Sequence, residues 1–185
     1  HVVVMQFGIN DGIVRIDQDV HEPRVSLEVY RDNLQTMTRR LKEAGVQVVL
    51  MTPNALFWTN ENKARWSGAP YDPEARLGLD VLNAQYADAV RWVGWKESVP
   101  VVDVHRLFLE YDAGAGDVNA DWLLDGVHPN AVAQARMRGA LELRVEQLED
   151  TPDGQGFTLP CGSEQDRDIT HAQLLPSSLR PRRRY

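Results

Sequence analysis

The chain has 185 residues, of which 43% are hydrophobic and 25% are charged, and its formal net charge is −7. This length and composition exclude a disordered or fibrous protein and predict one ordinary globular domain with a hydrophobic core. The acidic balance argues against a nucleic-acid-binding protein, because the basic surface that neutralises phosphates is missing and only residues 180–184 run basic.

The cysteine content and the apolar runs bound the compartment only loosely. A single cysteine, Cys161, excludes a disulfide framework and a thiolate metal cluster within one chain. No apolar run reaches about 18 residues, and the N-terminal residues lack the basic-then-apolar pattern of a secretory signal. We therefore expect a soluble domain with no membrane span, in a compartment that the sequence leaves open.

Three short β-branched runs predict parallel strands that are buried on both faces, since polar residues do not interrupt them. They cover residues 2–5, 46–51 and 100–104. The first is followed by a turn-rich stretch that we expect to be a loop, residues 8–12. A second, longer loop is expected at residues 55–71, beyond the usual connection of about 4–6 residues.

Helix signals lie between and after these strands. Ser26 is a predicted N-cap, and the apolar residues that follow it are spaced by three and four until Gly45, which suits a left-handed C-terminal cap. Asp72 and Pro73 predict the N-cap and first turn of a second helix that reaches about residue 96. A short helical turn is expected around Phe108, and a last helix at about residues 130–148.

The order of these elements predicts a doubly wound α/β domain with three α/β/α layers and helices on both faces of the sheet. Open sheets of this class have about five or six strands. With only three visible, and with His1 passing directly into a strand, we expect residues 1–149 to be the C-terminal portion of a domain whose N-terminal strands are missing. Residues 150–185 are rich in Pro, Gly, Ser and charge, which predicts a flexible tail or linker.

An acid and an imidazole stand three residues apart at Asp125 and His128, on a loop just before the last helix. Across a tight turn such residues have Cα atoms within about 7 Å, so Asp125 can accept a hydrogen bond from one ring nitrogen of His128 and leave the other free. These are the base and its orienting group in serine hydrolysis. The alternative is an ordinary turn that opens a helix, because Asp is a common turn former and capping residue.

A second polar cluster, Gly8-Ile9-Asn10-Asp11, follows the first predicted strand. Parallel strands place ligand sites at their carboxyl ends, so we expect both clusters at one edge of the sheet. Together and in this order, the first block and Asp125-Gly126-Val127-His128 resemble the Gly-x-Asn-Asp and Asp-x-x-His blocks of the SGNH (GDSL-type) hydrolase superfamily. The resemblance covers about residues 2–148. It implies a flavodoxin-like sheet and a serine esterase or lipase-like acyl hydrolase without a cofactor.

The resemblance also implies a role for each matching residue. His128 would be the general base, Asp125 would fix its tautomer, and Asn10 would donate its side-chain amide to the oxyanion, a contribution of about 100- to 1,000-fold in rate. Gly8 would let the backbone turn sharply at the strand end, and Asp11 would cap the loop. For Asn10 the alternative is an ordinary turn asparagine.

The family's nucleophile block, Gly-Asp-Ser, does not occur in this sequence. The serines are Ser26, Ser67, Ser98, Ser163, Ser177 and Ser178. None has the required context, and Ser163, which follows Gly162, lies in the predicted tail. We therefore expect no nucleophile in this chain and no activity from it alone, as for the C-terminal part of a longer hydrolase. Two alternatives are a non-catalytic binding module on a degenerate fold and a partner chain that pairs with the exposed edge of the first strand.

The remaining candidates favour structural roles or stay open. His105 is predicted to be structural and unpaired with Asp103, because adjacent strand-end residues point to opposite faces. No pair of histidines has metal-ligand spacing, so we expect no metal. Trp58, Trp66 and Tyr71 predict either a wall for sugar rings or acyl chains, or simple packing of their loop. The first alternative favours a small ester substrate, with an acylated sugar as the candidate.

Overall fold

A parallel three-stranded sheet lies at the centre of the domain. The computed structural model describes residues 1–114 and 116–149, and within them the strands β1 (Val2–Gln6), β2 (Gln47–Met51) and β3 (Val101–Val102) run in the order β1-β2-β3. β2 is the central strand, with Val4 opposite Val49 and Met51 opposite Val102. The sheet that the three β-branched runs predict is therefore present.

Helices connect and cover these strands. In chain order over the described residues they are α1 (Ile9–Gly12), α2 (Leu27–Glu43), α3 (Asn60–Trp66), α4 (Asn83–Glu97), α5 (Val104–Ala113), α6 (Val118–Trp122) and α7 (Ala131–Glu149), with a short 3₁₀-helix at Ile16–Gln18. α2 has both of its predicted ends: the Ser26 hydroxyl accepts the Val29 N–H at 3.3 Å, and Gly45 has a left-handed φ of +74°.

The side chains of β2 alternate between two hydrophobic cores. Val48 and Leu50 pack with α2 and α4 on one face of the sheet. Val49 and Met51 pack with α5, α6 and α7 on the other. Successive strand residues point to opposite faces, so a continuous apolar run supplies both cores. The predicted three-layer α/β/α fold is confirmed.

β1 is the edge strand of the described sheet, since it pairs only with β2 there. Val2 and Val4 keep 39% and 40% of their surface exposed. Val4 lies on the same face as its partner Val49, which is fully buried. This is the edge at which the sequence predicts pairing with further strands.

The helix predicted from Asp72 begins only at Asn83. The Asp72 N–H donates to the carbonyl of Gly78 at 3.2 Å, and a Cβ at Gly78 would lie 1.7 Å from the Asp72 carbonyl oxygen. The chain therefore doubles back through turns at residues 72–82, which a helix does not permit. The predicted long loop at 55–71 in turn contains α3, because Thr59 and Asn62 cap each other through reciprocal side-chain hydrogen bonds of 3.2 and 2.7 Å.

Two smaller predictions are also corrected. β3 ends at Val102 because the Asp103 carboxylate accepts the Arg106 N–H at 3.1 Å and starts α5. The stretch 8–12, predicted as a loop, contains the short helix α1. The predicted tail at residues 150–185, with Cys161 and Ser163, lies outside the described residues. Within the described ranges no helix is both long and apolar enough to cross a bilayer.

Candidate active site

Asp125 and His128 form a hydrogen-bonded acid–imidazole pair. His128 Nδ1 donates to Asp125 Oδ2 at 2.8 Å, while Asp125 Oδ1 accepts the backbone N–H groups of Val127 at 3.0 Å and His128 at 2.8 Å. Burial raises the pKa of Asp125, but the hydrogen bonds from the His128 backbone, the His128 ring and the Val127 backbone outweigh it and leave that pKa below its ordinary value. The carboxylate is therefore ionised at neutral pH and fixes the imidazole with its Nδ1 protonated.

The opposite edge of the imidazole is open. The His128 side chain is 72% exposed, and its Nε2 makes no hydrogen bond to any residue of the described part of the chain. A neutral imidazole protonated at Nδ1 carries its free lone pair on Nε2. His128 is thus arranged to accept a proton at Nε2 from a group that enters from outside.

The loop that carries this pair is fastened to the segment after β2. Three successive carbonyl oxygens accept hydrogen bonds from that segment, in the pairs Asp125 with Asn62 Nδ2 at 3.2 Å, Gly126 with Phe57 N at 2.9 Å, and Val127 with Asn54 Nδ2 at 3.0 Å. The loop closes on itself through the Leu124 N–H, which donates to the His128 carbonyl at 2.8 Å. The backbone that carries Asp125 and His128 is therefore held by the segment after β2 and by a hydrogen bond within the loop itself.

Gly126 makes this close approach feasible. Its φ is +83°, in the left-handed region, and a Cβ there would lie 2.2 Å from the Phe57 carbonyl oxygen. A side chain at this position would push the loop away from the segment that anchors it. The glycine between the acid and the imidazole is thus a geometric requirement.

A buried polar network supports the anchoring segment. Asp80 Oδ1 accepts the Leu56 N–H at 2.9 Å and Asn83 Nδ2 at 2.7 Å, and Asn83 Nδ2 also donates to the Asn54 carbonyl at 2.9 Å. Asp80 Oδ2 pairs with His105 Nε2 at 2.7 Å, with side-chain exposures of 3% and 5%. This second acid–imidazole pair is closed to substrate.

His105 takes no part in a pair with Asp103. Asp103 instead accepts Arg91 Nε at 2.9 Å and Arg91 Nη2 at 2.8 Å. Burial raises the Asp103 pKa, but the hydrogen bonds and charge of Arg91 outweigh it and lower that pKa. Asp103 therefore serves as an ionised structural partner of Arg91.

Asn10 is exposed on α1, and the packing of α1 fixes its place. Gly8 has a φ of +130°, and its N–H donates to Asp11 Oδ2 at 3.1 Å, so Asp11 caps the turn that leads out of β1. At the other end of α1, Gly12 packs against the ring of Tyr86, so that a Cβ at position 12 would lie 2.6 Å from Tyr86 Cε2. The Asp11 cap and the contact with α4 therefore fix the position of α1.

Asn10 and His128 line the same cleft, which has a volume of about 300 Å³. The cleft lies between α1 on one side and α3 with the Asp125 loop on the other. The fold thus brings the two sequence blocks together across more than a hundred residues of chain. An amide donor and an imidazole acceptor facing one cavity are the groups that acyl transfer requires, apart from a nucleophile.

The three aromatic residues predicted to form a wall for substrate, Trp58, Trp66 and Tyr71, have different surroundings. Trp66 is 8% exposed and lines the cleft of Asn10 and His128. Tyr71 is 5% exposed, and its hydroxyl accepts the Val14 N–H at 2.7 Å and donates to the Val14 carbonyl at 3.2 Å. Trp58 is half-buried and lines a separate groove of about 510 Å³. Tyr71 therefore packs the stretch against the core.

None of the described serines lines this cleft. Ser26 caps α2, Ser67 Oγ donates to the Lys63 carbonyl, and Ser98 ends α4 with a φ of +51°. Nor do three or more His, Cys, Asp or Glu side chains in residues 1–114 and 116–149 converge as a metal site would require. Serines 163, 177 and 178 fall outside the described residues.

Sequence patterns did not point to the groups that hold the Asp125 loop. Asn54 and Asn62 look like a strand-end residue and a loop residue, and Asp80 falls in a stretch predicted to be helical. One signal was present: Thr59 and Asn62 have the spacing of a capping box, which marks α3 and so the placement of Asn62. The arginines that line the cleft, Arg15, Arg24 and Arg65, carry no motif at all.

Comparison with known families and sequences places the chain among lipases and acylhydrolases. The sequence model of the GDSL-like Lipase/Acylhydrolase family matches residues 1–136. The uncharacterized lipoprotein YqeF of Bacillus subtilis (strain 168) is 28% identical over 115 residues, which are 60% of this chain and 45% of that protein.

Solved structures with the same fold include several esterases. A catalytic mutant of Axe2, an acetylxylan esterase from Geobacillus stearothermophilus, matches with a TM-score of 0.59 and 22% identity over 78% of this chain and 58% of that one. LAE5, an alpha/beta hydrolase enzyme from the metagenome of Lake Arreo, matches with a TM-score of 0.59 and 23% identity over 80% of this chain and 60% of that one. The lipase/acylhydrolase from Enterococcus faecalis matches with a TM-score of 0.53 and 18% identity over 77% of this chain and 60% of that one. The chain spans less than two thirds of the length of each of these relatives.

Proposed function

Because the chain belongs to the GDSL-like lipase/acylhydrolase family, we propose that it supplies the acid, the base and an oxyanion donor of a carboxylic ester hydrolase. The observation that carries the proposal is the 2.8 Å hydrogen bond between Asp125 Oδ2 and His128 Nδ1, with the other edge of the imidazole open. This is how a general base is held in serine hydrolysis.

In the proposed reaction His128 moves one proton in each direction. As a serine Oγ attacks the ester carbonyl, its proton passes to His128 Nε2, and the imidazolium that forms is stabilised by the ionised Asp125. The same proton then goes to the leaving alcohol as the C–O bond breaks, which leaves an acyl-enzyme. A water molecule repeats the sequence, and its proton returns through His128 to the serine.

Asn10 is the proposed donor to the tetrahedral oxyanion. Its side chain is exposed on α1, and the Asp11 cap and the contact of Gly12 with Tyr86 fix the backbone that carries this donor. Since such a donor acts on charge that exists only in the transition state, Asn10→Ala should lower kcat by about 100- to 1,000-fold. Binding of the ground-state ester should change little.

The nucleophile is proposed to come from polypeptide outside residues 1–185. Support comes from the sequence, which contains no Gly-Asp-Ser block, and from the three described serines, which cap helices or bond locally. Removal of a triad nucleophile costs about six powers of ten in kcat in a serine protease. We accordingly expect residues 1–185 alone to have no esterase activity above background.

The proposed substrate is a small ester, with an acetylated sugar as the leading candidate. Among the three aromatic residues, Trp66 lines the cleft of Asn10 and His128 and supports this candidate, whereas Tyr71 is buried and does not. Further support is the similarity in fold to Axe2, an acetylxylan esterase.

The test compares two polypeptides with p-nitrophenyl acetate as substrate. Residues 1–185 should release p-nitrophenol no faster than buffer. The product of the complete reading frame that encodes these residues should hydrolyse it, and His128→Ala should abolish turnover. His21→Ala is the matched control, because His21 is exposed, is paired with Asp19 and does not line the cleft, and it should retain full activity.

Two results would contradict the proposal. Robust hydrolysis by residues 1–185 that is lost in His128→Ala would show that a nucleophile lies within this chain. A complete gene product that binds short-chain esters but does not hydrolyse them would favour the alternative function, a non-catalytic binding module that keeps the fold and the cleft.

A further inference from the structure

The cleft that holds Asn10 and His128 is rich in arginine. Three arginines line it, Arg15, Arg24 and Arg65, against two carboxylates, Asp125 and Glu61. The chain as a whole has the opposite balance, with a net charge of −7. The cleft lining therefore holds more arginines than carboxylates, unlike the chain as a whole.

Two acids at or near this cleft already have hydrogen-bond partners. Asp125 holds the His128 ring, and Asp17 binds Arg15 through both oxygens, to Nε at 2.9 Å and to Nη2 at 3.1 Å. Asp17 also accepts Trp66 Nε1 at 3.2 Å. Arg15 is thus already neutralised by a bidentate partner.

Arg24 and Arg65 are different. Both side chains are exposed, and no carboxylate of the described residues forms an ion pair with either. Glu61 lies one turn before Arg65 on α3 and lines the cleft without forming an ion pair with it. Both guanidinium groups therefore line the cleft without a contact ion pair, although the Asp17 carboxylate, whose pKa the Arg15 hydrogen bond lowers most, is close enough for the charge of Arg65 to help lower that pKa.

The backbones that carry these two arginines are firmly placed. Arg65 precedes Trp66, which is buried at the end of α3. Arg24 precedes Val25, whose N–H donates to the Asp11 carbonyl at 3.2 Å and whose carbonyl accepts the Tyr86 hydroxyl. Arg65 lines the cleft from α3, and Arg24 lines it from the segment that is hydrogen-bonded to α1.

We propose that Arg24 and Arg65 bind an anionic group of the substrate, so that the preferred esters of this cleft carry a carboxylate on their acyl or alcohol part. The identity of the ligand as an ester rests on the proposed function, while the anion site rests on the two arginines alone. A guanidinium presents a planar fork of donors that matches the two oxygens of a carboxylate. Since both arginines are solvent-exposed, each contributes about two- to five-fold in affinity.

The test measures binding to residues 1–185 by NMR, with the Trp66 indole N–H and the cleft amides as reporters. Two acidic esters are titrated, acetoxyacetate with its carboxylate on the alcohol part and monomethyl succinate with its carboxylate on the acyl part. Their neutral counterparts are methyl acetoxyacetate and dimethyl succinate. At about 0.01 M ionic strength, where the Debye length is about 30 Å, at least one acidic ester should bind several-fold more tightly than its neutral counterpart.

Single substitutions identify the groups responsible. Arg24→Gln and Arg65→Gln should each weaken the acidic ester about two- to five-fold and leave the neutral ester unchanged. Glu61→Gln should tighten the acidic ester, because it removes a like charge from the same cleft. Arg40→Gln is the control, since Arg40 is an exposed arginine in the last turn of α2 and does not line the cleft.

Equal binding of the acidic and neutral esters would overturn the proposal, as would a preference that survives the Arg24→Gln/Arg65→Gln double substitution. The ester pair that shows the preference tells which part of the substrate carries the anion. Because residues 1–185 are expected to lack turnover, this binding test is independent of hydrolysis. An anion preference in a gene product without esterase activity would leave the site intact and refute only the proposed function.

Discussion

Asn54 and Val127 are 73 residues apart in sequence, and the Asn54 side-chain amide donates to the Val127 carbonyl oxygen at 3.0 Å. The asparagine is 3% exposed and follows β2, while Val127 stands between Asp125 and His128. This one contact links the central strand to the loop that carries the acid and the imidazole. The placement of His128 thus depends on a residue that does not line the cleft.

Asn54→Ala should loosen this loop. It leaves the buried Val127 carbonyl without its donor, a loss of about 1–3 kcal/mol in the free energy of unfolding. Amide hydrogen exchange at Val127 and His128 should accelerate by a larger factor than exchange in β2. Asn33→Ala, at an exposed position of α2, serves as the control: it should not lower the free energy of unfolding, because alanine favours helix, and it should not accelerate exchange at Val127 and His128.

Acid should weaken the domain in part through Asp125. Its folded pKa lies below the unfolded value of about 3.9, so the stabilisation is present above that pH and is lost as the pH falls through the folded pKa. Asp125→Asn keeps an acceptor for the two backbone N–H groups but cannot titrate. In urea unfolding at about pH 5 and about pH 3, the variant should lose less stability on acidification than the parent chain. An identical loss in both would show that Asp125 does not contribute.

Gly126→Ala should be among the most harmful single-methyl changes in the domain. The left-handed backbone costs a non-glycine residue about 1–2 kcal/mol, and the added Cβ would lie 2.2 Å from the Phe57 carbonyl oxygen and 2.6 Å from Asn62 Nδ2. Together we expect a loss of about 2–5 kcal/mol, read from the urea midpoint. Gly139→Ala, inside α7 with open space around it, should instead gain about 0.5–1 kcal/mol. Similar effects at the two sites would contradict this account.

The Asp80–His105 pair should matter far more to stability than an exposed ion pair of similar geometry. Asp80→Ala leaves His105, Leu56 N and Asn83 without their buried acceptor and should cost about 3–5 kcal/mol. Arg106→Ala breaks the exposed pair with Glu110, whose N–O distance is 2.6 Å, and should cost under about 0.5 kcal/mol. Thermal unfolding of both variants gives the comparison. A small loss in Asp80→Ala would show that water replaces the carboxylate.

Much of the fold was predictable because its signals are local. The uninterrupted runs of β1 and β2, the Ser26 cap and the Gly45 stop each depend on a few neighbouring residues, and the structure contains all of them. The predicted start of α4 at Asp72 was wrong, because there a contact with a residue farther along the chain overrides the local signal. Asp72 and Pro73 have good helix-start chemistry, but the contact between Gly78 and the Asp72 carbonyl turns the chain back. Competition of that kind is not visible in a propensity.

In the candidate site, too, the local contacts could be predicted from the sequence and the long-range contacts could not. Asp125 and His128 are three residues apart, so their hydrogen bond could be predicted from a turn. The supports of the loop come from Asn54 and Asn62, whose side chains reach across 73 and 63 residues of sequence. The arginines of the cleft likewise come from two separate segments, the connection between α1 and α2 and the helix α3. Such groups are brought together by the packing of the sheet, and one sequence carries no local trace of it.

Gly12 and Tyr86 carry an evolutionary consequence. The glycine touches the tyrosine ring so closely that any larger residue at position 12 needs a smaller one at position 86. Because α1 holds Asn10 and α4 holds Tyr86, changes on α4 should be transmitted to the proposed oxyanion donor by steric exclusion. The two positions should therefore co-vary among homologues, and a substitution at one should be tolerated only after a compensating substitution at the other.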